Sequence, residues 1–214
     1  QPPENQPVAV VETLAMPAAA KDSYPLISYT EGTEIKEVMP PSSGRRLDVR
    51  IETLEENCLV EKLTELLSEG GCAGILRNTV KQAQETAQIL EKQFPGRVRL
   101  LHSRFLACDR VRKEKELREL LGPGETQRPE KLIVVGTQVM EQSLDVDFDV
   151  MFTDICPMDL LLQRLGRLHR HDRKKLRPDK LRQAVCFIMG IAGTVEFSPG
   201  STKVYGAYPL LKTK

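Results

Sequence analysis

Lys131-Leu-Ile-Val-Val-Gly136-Thr137-Gln138-Val-Met-Glu141-Gln-Ser-Leu-Asp145 decides the fold. Leu132–Val135 is an unbroken apolar run, rich in β-branched residues and closed by Gly136. Such a run fits a strand covered on both faces, as in a parallel sheet. Working outward, the same grammar repeats. Arg46–Thr53 alternates and reads as a strand, and Cys72–Leu76, Val98–Leu101, Asp149–Asp154 and Ala184–Met189 read as further strands. Helical stretches lie between them. Asn57 can cap a helix running through Glu69, with Leu59, Leu63, Leu66 and Leu67 as its apolar stripe and Gly70-Gly71 as its stop. Thr79 can cap a helix to Phe94, ended by Pro95-Gly96. Cys108–Leu121 closes on Gly122-Pro123-Gly124, and Met158–Leu165 is a fourth helix. Strands alternating with helices predict an α/β fold with a parallel sheet. Ligands of such sheets sit past the carboxyl ends of strands. Thr137, Asn78 with Thr79, and His102 each follow a strand and fall on that one rim.

Composition sets the bounds. At 214 residues, with 40% hydrophobic and 29% charged residues, the chain is expected to hold one globular domain with tails. We read residues 1–45 as a Pro/Ala-rich linker and lead-in, with a short extended piece at Tyr24–Tyr29. The domain occupies 46–190, and 191–214 is an extension toward a further segment. No apolar run reaches membrane-spanning length, so no membrane contact is expected. Gln1-Pro-Pro-Glu has neither the basic start nor the apolar core of a signal peptide, and the missing initiator Met fits a cut from a longer chain. Five scattered cysteines without a C-x-x-C support neither a zinc site nor a disulfide framework and suggest a reducing cytoplasm. The net charge is +1, but residues 1–69 carry 6 Lys+Arg against 13 Asp+Glu, while basic runs at Arg97–Arg118 and Arg164–Arg182 fit phosphate contacts. Arg104 and Arg110 belong to the first of these runs. The absence of Trp and the 5% aromatic content argue against base-stacking platforms.

A second block, Gln163-Arg164-Leu165-Gly166-Arg167-Leu168-His169-Arg170, has the pattern Q-R-x-G-R-x-x-R. If Asp159–Arg170 were helical, Gln163, Arg167 and Arg170 would share one face, with Met158, Leu161, Leu165 and Leu168 opposite. The apolar side could pack on the sheet while the other offered two guanidiniums to a phosphate, which the fixed charge and donor fork of arginine suit. A solvated arginine-rich helix face is the plainer reading of the block taken alone.

The two blocks resemble motifs V and VI of superfamily 2 helicases. The wording Thr137–Asp149, followed by Cys156-Pro-Met-Asp-Leu-Leu-Leu-Gln-Arg through His171, is closer still to the CRISPR-associated helicase–nuclease of type I interference systems. Arg77-Asn78-Thr79-Val80 resembles that family's motif IV region, His102-Ser103-Arg104-Phe105 with Asp109-Arg110 its next landmark, and Tyr24-Pro25-Leu26 its lead-in. The resemblance runs from about residue 20 to about residue 210. It implies the second of two RecA-like motor domains, with Arg167, Arg170 and Gln163 acting catalytically. It places Asp145, Gly136 and Glu141 at the nucleotide, and Thr137, Asn78, Thr79, His102 and Arg104 along single-stranded DNA. It further implies a prokaryotic parent with a first RecA-like domain and a nuclease domain, recruited to foreign DNA by a guide-RNA surveillance complex. ATP and Mg²⁺ would be held by the complete two-domain motor and not by this piece alone.

The chain contains no Gly-x-x-x-x-Gly-Lys-Ser/Thr; Gly200-Ser201-Thr202-Lys203 has similar letters in the wrong order. No Asp-Glu-x-His/Asp box appears either. The piece is therefore expected to lack ATPase activity on its own and to act, when isolated, as a DNA- or protein-binding module. A second motor domain from another superfamily 2 helicase is the alternative. Asp145, Asp147 and Asp149 alternate and could hold Mg²⁺ for nuclease chemistry. We assign no metal, because the helicase wording accounts for the same three residues.

Overall fold

The strands and helices follow the pattern read from the sequence, with one addition ahead of them. The computed structural model describes residues 26–40, 47–124, 128–141, 144–173, 176–191 and 199–213. The chain divides into two units, residues 1–46 and 47–214. In the first, β1 (Ile27–Glu31) and β2 (Glu34–Val38) pair antiparallel. Their turn passes through Gly32 at φ +63°. The expected extended piece is thus one arm of a hairpin; Tyr24 and Pro25 fall outside the described residues.

The second unit is built on six strands: β3 (Val49–Leu54), β4 (Gly71–Leu76), β5 (Val98–Leu101), β6 (Lys131–Gly136), β7 (Val150–Asp154) and β8 (Ala184–Met189). They form one sheet in the order β3-β8-β7-β4-β6-β5, and every pair is parallel. Four helices connect them: α1 (Leu59–Leu66), α2 (Val80–Gln93), α3 (Ala107–Leu121) and α4 (Met158–Leu165). Two more, α5 (Pro199–Tyr205) and α6 (Ala207–Thr213), follow β8.

Period-two alternation sorts the side chains into two cores. On one face Ala73, Ile75, Ile133, Val135, Val150 and Phe152 meet Leu63 and Leu67 at α1 and Ala83 and Leu90 of α2. On the other, Cys72, Leu132, Val134 and Met151 meet Leu117 and Leu121 of α3, with Phe148 and Leu168. A third cluster joins Leu161 of α4 to Ile155, Ile188 and Leu210 of α6. Burial on both faces is why the central strands are continuous apolar runs.

Several local expectations hold in detail. Thr79 Oγ1 accepts the Gln82 N–H at 3.2 Å and caps α2. Gly70 and Gly71, at φ +97° and +114°, turn α1 into β4. The start of α1 differs. Asn57 sits inside a 3-10 turn, Glu56–Cys58, and Cys58 is the N-cap without a side-chain bond. The helix proposed from Asp159 to Arg170 also stops early, at Leu165. Leu168 is buried and lies beside Phe148 as an isolated parallel bridge. Phe148 N–H donates to the Arg167 carbonyl and His169 N–H to the Phe148 carbonyl, both at 2.9 Å. Burying Leu168 while satisfying these backbone groups requires leaving the helix.

Chain order reverses at β4. From it the chain moves to β5 and β6 on one side, then to β7, β8 on the other. The crevice past β4 and β7 is where an open α/β sheet places its ligand.

Gly74 of β4 lies under Phe148: an added Cβ would come within 2.7 Å of the ring. Gly74→Ala is expected to destabilise the chain by about 1–3 kcal/mol through overpacking. Gly124, where a Cβ meets nothing within 4 Å, is the control. Denaturant unfolding of both variants measures the difference; equal midpoints would show that the core yields at Gly74.

Candidate functional site

Three chain segments converge at the crevice: residues 77–79 after β4, 137–141 after β6, and 164–171 at the end of α4. Backbone hydrogen bonds fix the middle one. Thr137 N–H donates to Leu101 O at 3.3 Å, and the 3-10 turn Gln138–Met140 follows. Gly136 is required there, because the Met140 side chain packs where a Cβ would stand.

The centre of the crevice is Arg164, which has no exposed surface. Its Nε donates to Glu141 Oε1 at 2.8 Å, and Nη2 stands 2.7 Å from the same oxygen. Nη1 donates to Thr153 Oγ1 at 2.5 Å and to Asp154 O at 3.1 Å. Nη2 also reaches Asn78 Oδ1 and Tyr205 Oη, each at 3.2 Å. A buried charge needs this degree of satisfaction. The arginine of the second block with no assigned role is thus its structural anchor.

Several residues with expected roles surround this anchor. Glu141 Oε1 is committed to Arg164 in the interior. Asn78 is buried; its amide donates to Ile155 O at 2.8 Å and to Ser201 Oγ at 2.7 Å, and its backbone N–H to Asp154 Oδ2 at 2.8 Å. Thr79 spends its hydroxyl capping α2. Thr137 is 2% exposed. Asn78 and Thr137 are thus buried and Thr79, at the N-cap, is half-buried; buried polar groups at strand ends close their own hydrogen bonds. His102 is also interior: its ring stacks on Phe105 at 4.1 Å and lies 3.2 Å from Gln84 Nε2. Lys113 Nζ lies 4.7 Å from the Phe105 centroid. Arg104 is exposed, as a phosphate contact requires, and Gln163 is exposed on α4.

Arg167 and Arg170 come together past the end of α4. Arg167 Nη2 donates to Glu141 O at 2.8 Å, while its Nε is buried without a hydrogen-bond partner among the described residues. Burial lowers the Arg167 pKa, and the neighbouring charge of Arg170 lowers it further. Arg170 Nε donates to Asp145 Oδ1 at 2.5 Å and Nη1 to Gly166 O at 3.3 Å. The Arg170 hydrogen bond holds the Asp145 carboxyl below the usual carboxylate range. His171 Nε2 lies 3.2 Å from the same oxygen. Arg170 thus bonds a half-exposed carboxylate that also feels the charge of Arg167. Such a spot favours a further anion.

Asp147 and Asp149 have a different occupation from the metal binding considered for the alternating aspartates. Both are buried. Arg173 Nε donates to Asp147 Oδ2 at 2.7 Å, and Arg177 Nη2 reaches both Asp147 oxygens at 2.9 Å. Arg177 Nη1 also bonds Asp149 Oδ1, and Arg128 Nη2 donates to Asp149 Oδ2 at 2.8 Å. Arg170 N–H adds a bond to Asp147 Oδ1 at 2.7 Å. Three arginines neutralise the pair. The basic run Arg164–Arg182 was the available signal for Arg173 and Arg177, while Arg128 lies outside it; which aspartate each would meet was not readable.

Burial lowers the His102 pKa below its ordinary 6.5, with Arg104 and Lys113 adding to the effect. The folded chain holds this proton less readily than the unfolded chain. Its stability contribution is complete above about pH 6.5 and is lost as pH falls below that value. Melting temperature should therefore drop from about pH 7.5 to about pH 5.5, and less so in His102→Gln. Parallel curves for the two proteins would exclude His102 as a contributor.

Residues 69–173 match a family model described as CRISPR-associated nuclease/helicase Cas3, C-terminal. The chain is 44% identical over 194 residues to the CRISPR-associated nuclease/helicase Cas3 of Streptococcus thermophilus, covering 90% of this chain and 21% of that protein. It is 33% identical over 236 residues to the endonuclease/helicase Cas3 of Thermus thermophilus, covering 89% and 25%. It thus spans about a fifth to a quarter of the length of these relatives. Among solved structures, the crystal structure of a CRISPR-associated protein superposes with TM-score 0.84 at 36% identity, over 93% of this chain and 23% of that one. T. fusca Cas3 with ATP gives 0.76 at 30%, over 84% and 23%. A CRISPR RNA-guided surveillance complex, pre-nicking, contains a chain matching at 0.69 and 29%, over 84% and 24%.

Proposed function

This chain belongs to the CRISPR-associated nuclease/helicase Cas3 family, and we propose that it is the half of an ATP-driven motor that supplies arginines to the nucleotide phosphates. Its RecA-like parallel sheet is the one found in the T. fusca protein with ATP. The observation that carries the proposal is the pair Arg167 and Arg170, with a buried Arg167 Nε lacking an acceptor among the described residues and Asp145 as the counter-charge bonded to Arg170. Phosphate oxygens would satisfy that donor and relieve the repulsion between the guanidiniums. Asp145 holds Arg170 by one edge and so sets the direction of its fork. Gly136 contributes by admitting Met140, which seats the turn that carries Glu141. Gln163, exposed on α4, is assigned no contact. The phosphate cradle, its lysine and the Mg²⁺ ligands belong, in this reading, to the remaining three-quarters of the parent.

The parent would use ATP to translocate on single-stranded DNA while a nuclease domain degrades it. The relatives' names, nuclease/helicase, support this, and the surveillance-complex neighbour supports recruitment by a guide-RNA complex. Arg104, exposed in the segment after β5, is the cation we assign to the DNA backbone. Taken alone, the chain would be a binding module.

Arg167→Ala and Arg170→Ala in the full-length parent should each lower DNA-stimulated ATP turnover by at least about 10²-fold, and Arg→Lys should not restore it. DNA nicking should persist. The isolated chain should show no turnover. Near-wild-type ATPase in either alanine variant would remove the arginines from this role.

Arg104→Ala should weaken single-stranded DNA binding equally for unrelated oligonucleotides and reduce the log–log salt slope by about 0.7, one phosphate's worth. Anisotropy titrations at several salt concentrations read both. A loss confined to one oligonucleotide would indicate base recognition.

A further inference from the structure

The run Gly200-Ser201-Thr202-Lys203, whose letters resemble a phosphate loop in scrambled order, lies in α5. Gly200 packs on the start of α2: a Cβ there would stand 3.0 Å from Thr79 Cγ2 and 3.2 Å from Gln82 Oε1. Ser201, 1% exposed, accepts the Asn78 amide at 2.7 Å. One turn later the Tyr205 hydroxyl accepts from Gln138 Nε2 at 2.9 Å and from Arg164 Nη2 at 3.2 Å. Gln138 Nε2 also donates to Asn78 O at 3.0 Å. A single phenolic oxygen thus ties the turn after β6 to α4, across 67 and 41 residues of sequence.

Both ties lead to the arginine pair. Arg164 lies on the last turn of α4, just before Arg167. Gln138 opens the turn that ends at Glu141, whose carbonyl receives Arg167 Nη2. Moving either anchor moves the Arg167 guanidinium, and phosphoryl transfer is sensitive to misplacement on the ångström scale. Next to α5, α6 seats Leu210 in the cluster with Leu161 and Ile188.

We propose that Tyr205 is a positioning residue for ATP hydrolysis, its hydroxyl locking Gln138 and Arg164 together so that Arg167 and Arg170 meet the phosphates in register. This rests on the arginine reading above. The test uses the full-length parent with DNA present. Tyr205→Phe keeps the ring and removes only the hydroxyl. It should lower kcat for ATP about tenfold and leave KM within about twofold, since binding does not depend on the alignment. Leu210→Ala is the comparison: it should lower the melting temperature while kcat at 25 °C stays within about twofold. Gln138→Met, which removes the donor from the other side, carries the same expectation as Tyr205→Phe and serves if that variant does not fold. A Tyr205→Phe kcat within twofold of wild type would overturn the proposal. So would kcat falling in Tyr205→Phe and Leu210→Ala alike in step with melting temperature, since that marks a structural role alone. In either case inactive Arg167→Ala and Arg170→Ala would leave the motor reading standing. Full activity in those two variants would overturn both.

Discussion

The guanidinium of Arg164 carries its charge at the meeting point of three loops, wholly shielded from water. Burying a charge there is costly, and the cost is offset only because each of its nitrogens has an acceptor. The loops after β4 and β6 and the end of α4 therefore cannot settle independently. Loss of Glu141 would leave the guanidinium uncompensated, at about 3–5 kcal/mol. An apolar trio of the same volume could be as stable, but it would not specify the relative positions of Asn78, Glu141 and Thr153 so narrowly. We read the pair as a device for geometry, with net stability a secondary matter.

A second knot of the same chemistry sits a few residues away. Asp147 and Asp149 hold Arg128, Arg173 and Arg177, and Asp147 also takes the Arg170 N–H. Between the two knots runs the short stretch 166–171, pinned at Phe148 by backbone bonds. His169 adopts φ +48° there, the only non-glycine in the left-handed region among the described residues. That conformation costs a non-glycine residue about 1–2 kcal/mol. Rigid anchors on both sides sustain it, and it reverses the chain so that Leu168 faces the core while Arg170 faces the crevice.

Much of the fold was legible from periodicity, because the sheet is buried on both faces and its strands cannot avoid being apolar runs. Leu132–Val135 and Met158–Leu165 needed no tertiary information. The hairpin Ile27–Val38 was half missed, since short exposed strands carry little hydrophobic pattern. The site was legible as a neighbourhood but not by role. Asn78, Thr79, Thr137 and His102 do follow strand ends, yet three turn inward and one caps a helix. Strand-end position fixes where a residue lies and leaves open which way it points. Arg164 was undervalued because an isolated arginine reads as surface, and its partners lie 23 and 86 residues away. The aspartate triplet offered a metal reading that was set aside on the helicase wording; what it holds instead was not legible, because the neutralising cations are distant in sequence and only the topology brings them in.

The pairing of β3 with β8 joins the first strand of the sheet to its last, with Val49 beside Ala184. On a ribosome, β3 emerges about 135 residues before the strand it must join, a wait on the order of 10 s at ordinary elongation rates. Through that interval it is an unpaired edge, open to the wrong neighbour. Its composition suits the delay: Arg50 and Glu52 bracket Ile51 and pair with each other at 2.6 Å, charging a strand that would otherwise be a ready template for aggregation. The nascent chain can assemble β4 to β7 first and close its sheet only when the final strand arrives.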